Sequence, residues 1–305
     1  MIVITSGDKY IDIDAYASMI AYRELLKSKG IKCVAISNSV LNDSITKSII
    51  NMNYKLDNYI PNNDDKFIII DVSELGMFDK CVIDKNIIEI IDHHSGYEDY
   101  WNNLLKNKCQ IENIGAVATQ IFEKIINEGF ENILSVDLAK MLVAAILDNT
   151  LNLKAKITTN RDIEAYKKLM KKINDDKYPS CYYEEIENTI KENVIVALQN
   201  ETNIYKINQI IPKYFAQLAV FDKKIVFDEL DKIYFEFNKL KDDYLINIIC
   251  LSEGKSYIIT TSNKVKEDMT NLFNKKFVED VMDLEDIWLR KEIIRRARKL
   301  IENND

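Results

Sequence analysis

Residues 87–91 read Ile-Ile-Glu-Ile-Ile, and the next three are Asp92-His93-His94. A near-continuous β-branched run is what a strand covered on both faces needs, because a strand with one wet face alternates apolar with polar residues. The run therefore commits this part of the chain to a buried parallel strand, with an acid and two imidazoles at its carboxyl end. In open α/β sheets ligands bind outside that end. The chain has no histidines besides these two. A turn with two exposed imidazoles would account for the pair taken alone, so weight falls on the aspartates that end other apolar runs.

Residues 1–5 form a short apolar strand, followed by Asp8, Asp12 and Asp14 and then a helix with Tyr16, Met19, Ile20 and Leu26 on one face. Asp14 stands where a helix N-cap is expected. Three carboxylates in seven residues repel one another unless a cation is shared among them. A second strand is expected over 31–37, a helix over 43–51, and a third strand over 67–70 that terminates in Asp71. Helices are expected from residue 114 onward, with Ala118, Ile121, Phe122 and Ile125 on one face, over 136–147, and over 160–172. The helix over 136–147 delivers Asp148 at its end, where a carboxylate opposes the helix dipole unless a positive charge compensates it. Strands alternating with helices predict a doubly wound, mostly parallel α/β sheet. Such a sheet gathers Asp12, Asp14, Asp71, His93 and Asp148 at one edge. Carboxylates with one imidazole suit Mn²⁺ or Mg²⁺ better than a thiolate-type zinc site. A pair of such ions bridged by a carboxylate activates water and neutralises a phosphoryl group, so the implied chemistry is hydrolysis of a phosphate ester or anhydride.

Asp12-Ile-Asp14-Ala-x-Ala-Ser18, Asp71, Asp92-His93-His94, the helix at Gly115 and Asp148-Asn-Thr resemble, in order and spacing, the motifs of the DHH phosphoesterase superfamily. The resemblance covers nearly all of residues 1–176. It implies Asp12 and Asp71 on one metal, and Asp14, Asp71, His93 and Asp148 on the other, with Asp71 bridging. His94 would hydrogen-bond substrate oxygens and supply a proton.

Length suits two domains: 1–176, a linker over 177–202, and a smaller α/β domain over 203–305. The second domain reads as strands, a helix with Leu230, Ile233, Phe237 and Leu240 on one face, two more strands, another helix and a basic C-terminal segment. It resembles the DHHA2 domain of manganese-dependent family II inorganic pyrophosphatases and their exopolyphosphatase relatives. The resemblance implies an active site in the interdomain cleft, with Arg290 and Lys291 reaching the substrate phosphates. The basic run beyond that pair is expected to be a solvated face. Two departures touch the site. Where the pyrophosphatases carry Gly-His, this chain has Gly7-Asp8, so a carboxylate replaces an imidazole metal ligand and shifts preference towards harder cations such as Mg²⁺. Where they carry a substrate-binding lysine, this chain has Thr202, with Lys206 and Lys213 nearby.

Composition narrows the partners. A net charge of −8 argues against nonspecific binding to nucleic acid or acidic membranes. Seven glycines leave no room for a Walker or dinucleotide-type phosphate loop. Five scattered cysteines without a Cys-x-x-Cys pair read as free thiols, and with no signal peptide or apolar span they point to the cytoplasm. The expected substrate is a small phosphate compound. Pyrophosphate leads, ahead of short polyphosphate and of a catalytically weak relative that only binds phosphate compounds. The resemblance also implies a homodimer.

Overall fold

A computed structural model describes residues 1–205 and 210–302, apart from the side chains of Lys291, Ile301 and Glu302. It divides into two compact units, Met1–Tyr182 and Tyr183–Asp305. Among the described residues no helix is long and apolar enough to cross a membrane.

The first unit opens with β1 (Ile2–Thr5), β2 (Tyr10–Ile11), α1 (Ile13–Ser28), β3 (Cys33–Ala35), β4 (Val40–Leu41) and α2 (Lys47–Ile50). It continues with β5 (Lys66–Ile70), β6 (Ile87–Asp92), α3 (Glu98–Leu105), β7 (Cys109–Ile111), α4 (Val117–Asn127), α5 (Val136–Asn149) and α6 (Asn160–Ile173). α7 (Tyr178–Glu192) begins in this unit, with Pro179 in its first turn, where the missing N–H costs no helical bond. The main sheet has the order β3-β1-β5-β6-β7, and its pairings are all parallel. From β1 the chain steps outward to β3, then returns to the other side of β1 and proceeds through β5, β6 and β7. The switch point therefore lies between the carboxyl ends of β1 and β5, where a ligand crevice opens in folds of this kind.

Both faces of that sheet are covered, which explains the isoleucine runs. Val3, Phe67, Ile69, Ile87 and Ile90 pack with Phe78 and Trp101 in one apolar cluster. Their neighbours Ile4, Ile68, Ile70 and Ile91, pointing the other way by the two-residue period of a strand, are equally buried. On the second face Glu89 accepts a 2.8 Å bond from the Tyr22 hydroxyl, which lets a carboxylate sit within the run. α1 is buried nearly all round through Leu26, not along one stripe, because it packs against β1, β3 and β5 and also against α4 and α5.

The second unit contains α8 (Val194–Asn200), β8 (Thr202–Ile204), β9 (Tyr214–Val220), α9 (Lys224–Phe227), α10 (Leu230–Phe237), β10 (Tyr244–Cys250), β11 (Lys255–Ile259), α11 (Asn263–Phe273), β12 (Val281–Leu284) and α12 (Arg290–Glu302). Its sheet has the order β12-β11-β10-β9-β8, with β9 and β10 parallel and the remaining pairs antiparallel. β10 is buried along its whole length, as its unbroken apolar sequence requires apart from Asn247.

Three local expectations change. The N-cap of α1 is Asp12, whose side chain accepts from Ala15 N–H at 3.0 Å, and Asp14 lies inside the first turn. The helix expected over 43–51 shrinks to α2. Asn42 and Ser44 form a side-chain-bonded turn there, and Ser44 Oγ accepts the Ile13 N–H at 2.9 Å. Val40–Leu41 pairs with Tyr10–Ile11 in a small parallel sheet too short to register as a periodic signal.

Gly115 precedes α4 at a point of close approach. A Cβ there would stand 2.5 Å from Thr150 Cγ2 and 2.7 Å from Asp162 Oδ2. Gly115→Ala is expected to cost about 1–3 kcal/mol through overpacking. Urea denaturation reads this as a lower midpoint, and an unchanged midpoint contradicts the packing described.

Candidate metal centre

The loop after β1 delivers Asp8 and Asp12, and the start of α1 delivers Asp14. Asp14 is wholly buried, and its two oxygens accept the first amides of α4, Val117 N–H and Ala118 N–H, each at 2.8 Å, with Ser18 Oγ at 3.3 Å. An acid at a helix N-terminus satisfies donors that have no intrahelical acceptor. Burial raises its pKa, the Asp12 charge raises it further, and the α4 amides pull it back only in part.

Asp71 follows β5 directly and takes a left-handed backbone, φ 62°, a conformation that costs a non-glycine residue about 1 kcal/mol and clusters at functional sites. Its amide donates to Ile91 O at 2.8 Å, which pins the turn against β6. The side chain is 7% exposed, and its Oδ1 is buried with no hydrogen bond. Burial pushes this carboxyl well above the usual range, and the charges of Asp12, Asp14 and Asp92 push the same way. A buried acceptor left unsatisfied is expensive, and a bound cation removes the cost.

His93 supplies the complementary group. Its Nδ1 lies 3.2 Å from Ile114 O and its Nε2 lies 3.4 Å from Asp71 Oδ1. A proton on Nδ1 satisfies the carbonyl and leaves the Nε2 lone pair on the side of Asp71. Burial lowers the His93 pKa, as does the neighbouring His94, so the neutral ring suited to a metal is favoured. His94 differs: its side chain is 63% exposed, and its Nδ1 sits 2.8 Å from Asp92 Oδ1. That hydrogen bond raises the His94 pKa. Asp92 is fully buried; burial works to raise its pKa, but the hydrogen bonds and charge of His94 together with a hydrogen bond from Ser73 make the net shift downward. Donor atoms of Asp71, His93 and His94 all lie within 4.8 Å of one another, a grouping able to hold a metal ion.

The remaining expected residues are placed less uniformly. Asp8, Asp12, Asp71 and His94 line one cleft of about 210 Å³ together with Lys9 and Tyr10. Asp148 lies in the last turn of α5, not beyond it, and is not in the Asp71 group; its Oδ1 is 3.4 Å from the Tyr182 hydroxyl. Immediately after it, Leu151, Asn152 and Leu153 all have left-handed φ, and the turn is closed by Lys154 N and Ala155 N donating to Thr150 O. In the second unit, Arg290 Nη1 donates to the carbonyls of Glu201 and Phe215 at 2.7 and 3.0 Å. The Lys291 side chain and Lys206 fall outside the described residues. Thr202 Oγ1 donates to Leu198 O at 2.7 Å, and Lys213 pairs with Asp242 at 2.5 Å. Sequence reasoning did not single out Asp92 as the residue that holds His94, nor the Ile114 carbonyl that holds His93. The Ile114 carbonyl is 21 positions from His93 and leaves no spacing signal, whereas Asp92 is only two residues from His94 and its adjacency in the Asp-His-His run was the available signal.

A buried acidic and imidazole cluster stands at the switch point of a parallel sheet, and residues 1–146, which build it, match the DHH family, N-terminal domain. Among particular relatives, a Clostridium acetobutylicum protein assigned as a manganese-dependent inorganic pyrophosphatase is 28% identical over 304 residues, covering 92% of this chain and 91% of its own. Others of that designation, from Exiguobacterium and Bacillus licheniformis, align over 54% of their own length. The fold is shared with a Methanococcus jannaschii structure assigned to the family II inorganic pyrophosphatases, at TM-score 0.62 and 20% identity, covering 98% of this chain and 99% of that one. An exopolyphosphatase-related protein from Bacteroides fragilis has TM-score 0.52 and 17% identity over 99% of this chain and 92% of its own.

Because like charges crowd Asp71, Asp71→Asn is expected to raise the thermal midpoint of protein stripped with EDTA. The same change is expected to remove the stabilisation that Mn²⁺ gives the wild type, about 2.7 kcal/mol at a hundredfold excess over Kd. Calorimetry with and without Mn²⁺ checks both. A variant stabilised by Mn²⁺ as fully as the wild type contradicts the placement of the ion.

Proposed function

We propose that this protein hydrolyses phosphoanhydride bonds with two divalent cations, converting inorganic pyrophosphate to two phosphates. The observation that supports this reading is Asp71 Oδ1, buried with no hydrogen bond and 3.4 Å from His93 Nε2. Both are what a divalent cation with oxygen and imidazole ligands needs, and Mn²⁺ or Mg²⁺ fits that donor set. Asp8, Asp12 and Asp71 would hold one ion and Asp71 and His93 the other, with Asp14 and Asp148 added to the second by the family resemblance rather than by the grouping of donor atoms. When bound, the ions lower the pKa of a shared water and neutralise phosphoryl oxygens. His94, with Nδ1 held by Asp92, keeps Nε2 for a phosphate oxygen in the cleft, and its raised pKa favours the donor form. The designations of the relatives, manganese-dependent inorganic pyrophosphatases, support the same substrate and metal.

A small phosphate is the partner this site suits, and the negative net charge speaks against nucleic acid. Five free thiols suit a reducing cytoplasm. A homodimer remains part of the proposal through the family resemblance alone.

A second reading, a relative that binds phosphate compounds with little turnover, is favoured by two observations. Arg290 Nη1 is engaged on main-chain carbonyls, and a threonine stands where a cation is expected at 202. Phosphate release from pyrophosphate, tripolyphosphate and a dinucleotide, each with Mn²⁺ and with Mg²⁺, separates the readings. Pyrophosphate is expected to turn over fastest, and Asp71→Ala is expected to lose about 10³-fold or more in kcat, the equivalent of several kcal/mol. Preferred cleavage of tripolyphosphate moves the assignment to an exopolyphosphatase. No turnover of any substrate with either ion rules out the enzyme.

A further inference from the structure

His93 and Asp162 approach one peptide group from its two ends. Ile114 O faces His93 Nδ1 at 3.2 Å, and the N–H of the same peptide, that of Gly115, donates to Asp162 Oδ2 at 3.1 Å. Asp162 lies on α6 and is wholly buried. It also accepts from Thr119 Oγ1 at 2.6 Å and from the amide and hydroxyl of Thr159, both at 2.7 Å. Four donors converging on two oxygens suit a carboxylate, which is acceptor-only, and not an amide side chain that brings its own protons.

We propose that Asp162 is a positioning residue for the metal centre, acting on His93 through the peptide between Ile114 and Gly115. This rests on the reading of His93 as a metal ligand. The peptide is planar and its C=O and N–H point in opposite directions, so anchoring the N–H on Asp162 aims the carbonyl at His93. An amide that accepts at oxygen while donating to a carboxylate is polarised at both ends, which strengthens each bond. The proton of His93 is thereby held on Nδ1 and the lone pair on Nε2, on the side of Asp71. Metal-binding histidines commonly give their second N–H to a carboxylate or carbonyl, which sets the tautomer and raises ligand basicity. Here a peptide is inserted between the carboxylate and the ring. The absence of a Cβ at Gly115 is what permits the approach of Asp162. The same short segment also gives Val117 N–H and Ala118 N–H to Asp14, and Gln120 Nε2 to Asp92 O at 2.9 Å. Orienting it sets several groups of the site together.

The simpler role is that of a cap: Thr159 and Asp162 form a capping box at the start of α6. A cap needs neither Gly115 nor Thr119, which belong to the α4 segment. The two roles differ in what a substitution does to His93. Since the chain contains only two histidines, the imidazole ¹⁵N spectrum of the EDTA-treated protein holds two rings and is readily assigned. The wild type is expected to show His93 protonated at Nδ1. Asp162→Asn is expected to mix its tautomers and to weaken Mn²⁺ binding about 10- to 100-fold, followed by electron paramagnetic resonance. Should that variant not fold, Thr119→Val removes a single donor to Asp162 and is expected to shift both readouts the same way by less. Tyr22→Phe, which loses a buried bond to Glu89 outside the cleft, is expected to lower stability and leave both unchanged. Asp162→Asn or Thr119→Val that lowers the thermal midpoint yet leaves the His93 nitrogen shifts as in the wild type overturns the proposal and makes Asp162 a cap. If the wild type binds no Mn²⁺, the metal reading fails, and the imidazole spectra alone decide whether Asp162 sets the His93 tautomer.

Discussion

Asp12, Asp14, Asp71 and Asp92 are crowded at the carboxyl edge of one parallel sheet, and their mutual repulsion is the constraint the rest of the first unit answers to. Burial and like charge act together on Asp14 and Asp71, pushing both carboxyls well above their ordinary range. Hydrogen bonds from α4 to Asp14 and from His94 to Asp92 relieve part of the strain. Asp71 receives no such relief, and it also carries a left-handed backbone. An arrangement this unfavourable persists only where the surrounding structure over-determines it, and a divalent cation is the ligand that turns it favourable.

The sheet supplies that over-determination. β1, β5 and β6 are adjacent and parallel, so the residues that follow them emerge side by side at the switch point. The strands are packed on both faces, which leaves their ends little freedom to splay. The price of the site is thus met by the isoleucine core beneath it. The α4 segment then does for orientation what the strands do for position, since its amides and carbonyls meet Asp14, Asp92 and His93.

Much of this was legible in the sequence, for physical reasons. Doubly covered strands leave continuous apolar runs, so β5 and β6 and the residues that end them stand out. Asp71, His93 and His94 each follow such a run, and the structure groups their donor atoms. Asp14 was assigned to the wrong local role because cap and first-turn positions differ by two residues, and both Asp12 and Asp14 suit an N-terminus. The small sheet of β2 and β4 was missed because two-residue strands have no measurable period. Asp162 illustrates the deeper limit. Its threonine three residues earlier marks a helix start, yet nothing in the spacing shows that the same carboxylate reaches Gly115, 47 positions away. Arg290 was singled out by the family resemblance alone, and no spacing signal indicated that its Nη1 donates to the Glu201 and Phe215 carbonyls.

The account stands or falls on whether Asp71 and His93 share a divalent cation. Anomalous diffraction at the manganese edge from crystals grown with Mn²⁺ addresses this most directly. The expected map has a strong peak bonded to His93 Nε2 and an Asp71 oxygen, with a second peak on the other side of the Asp71 carboxylate. A map with no peak at Asp71, or with His93 Nε2 turned away from the ion, contradicts the account.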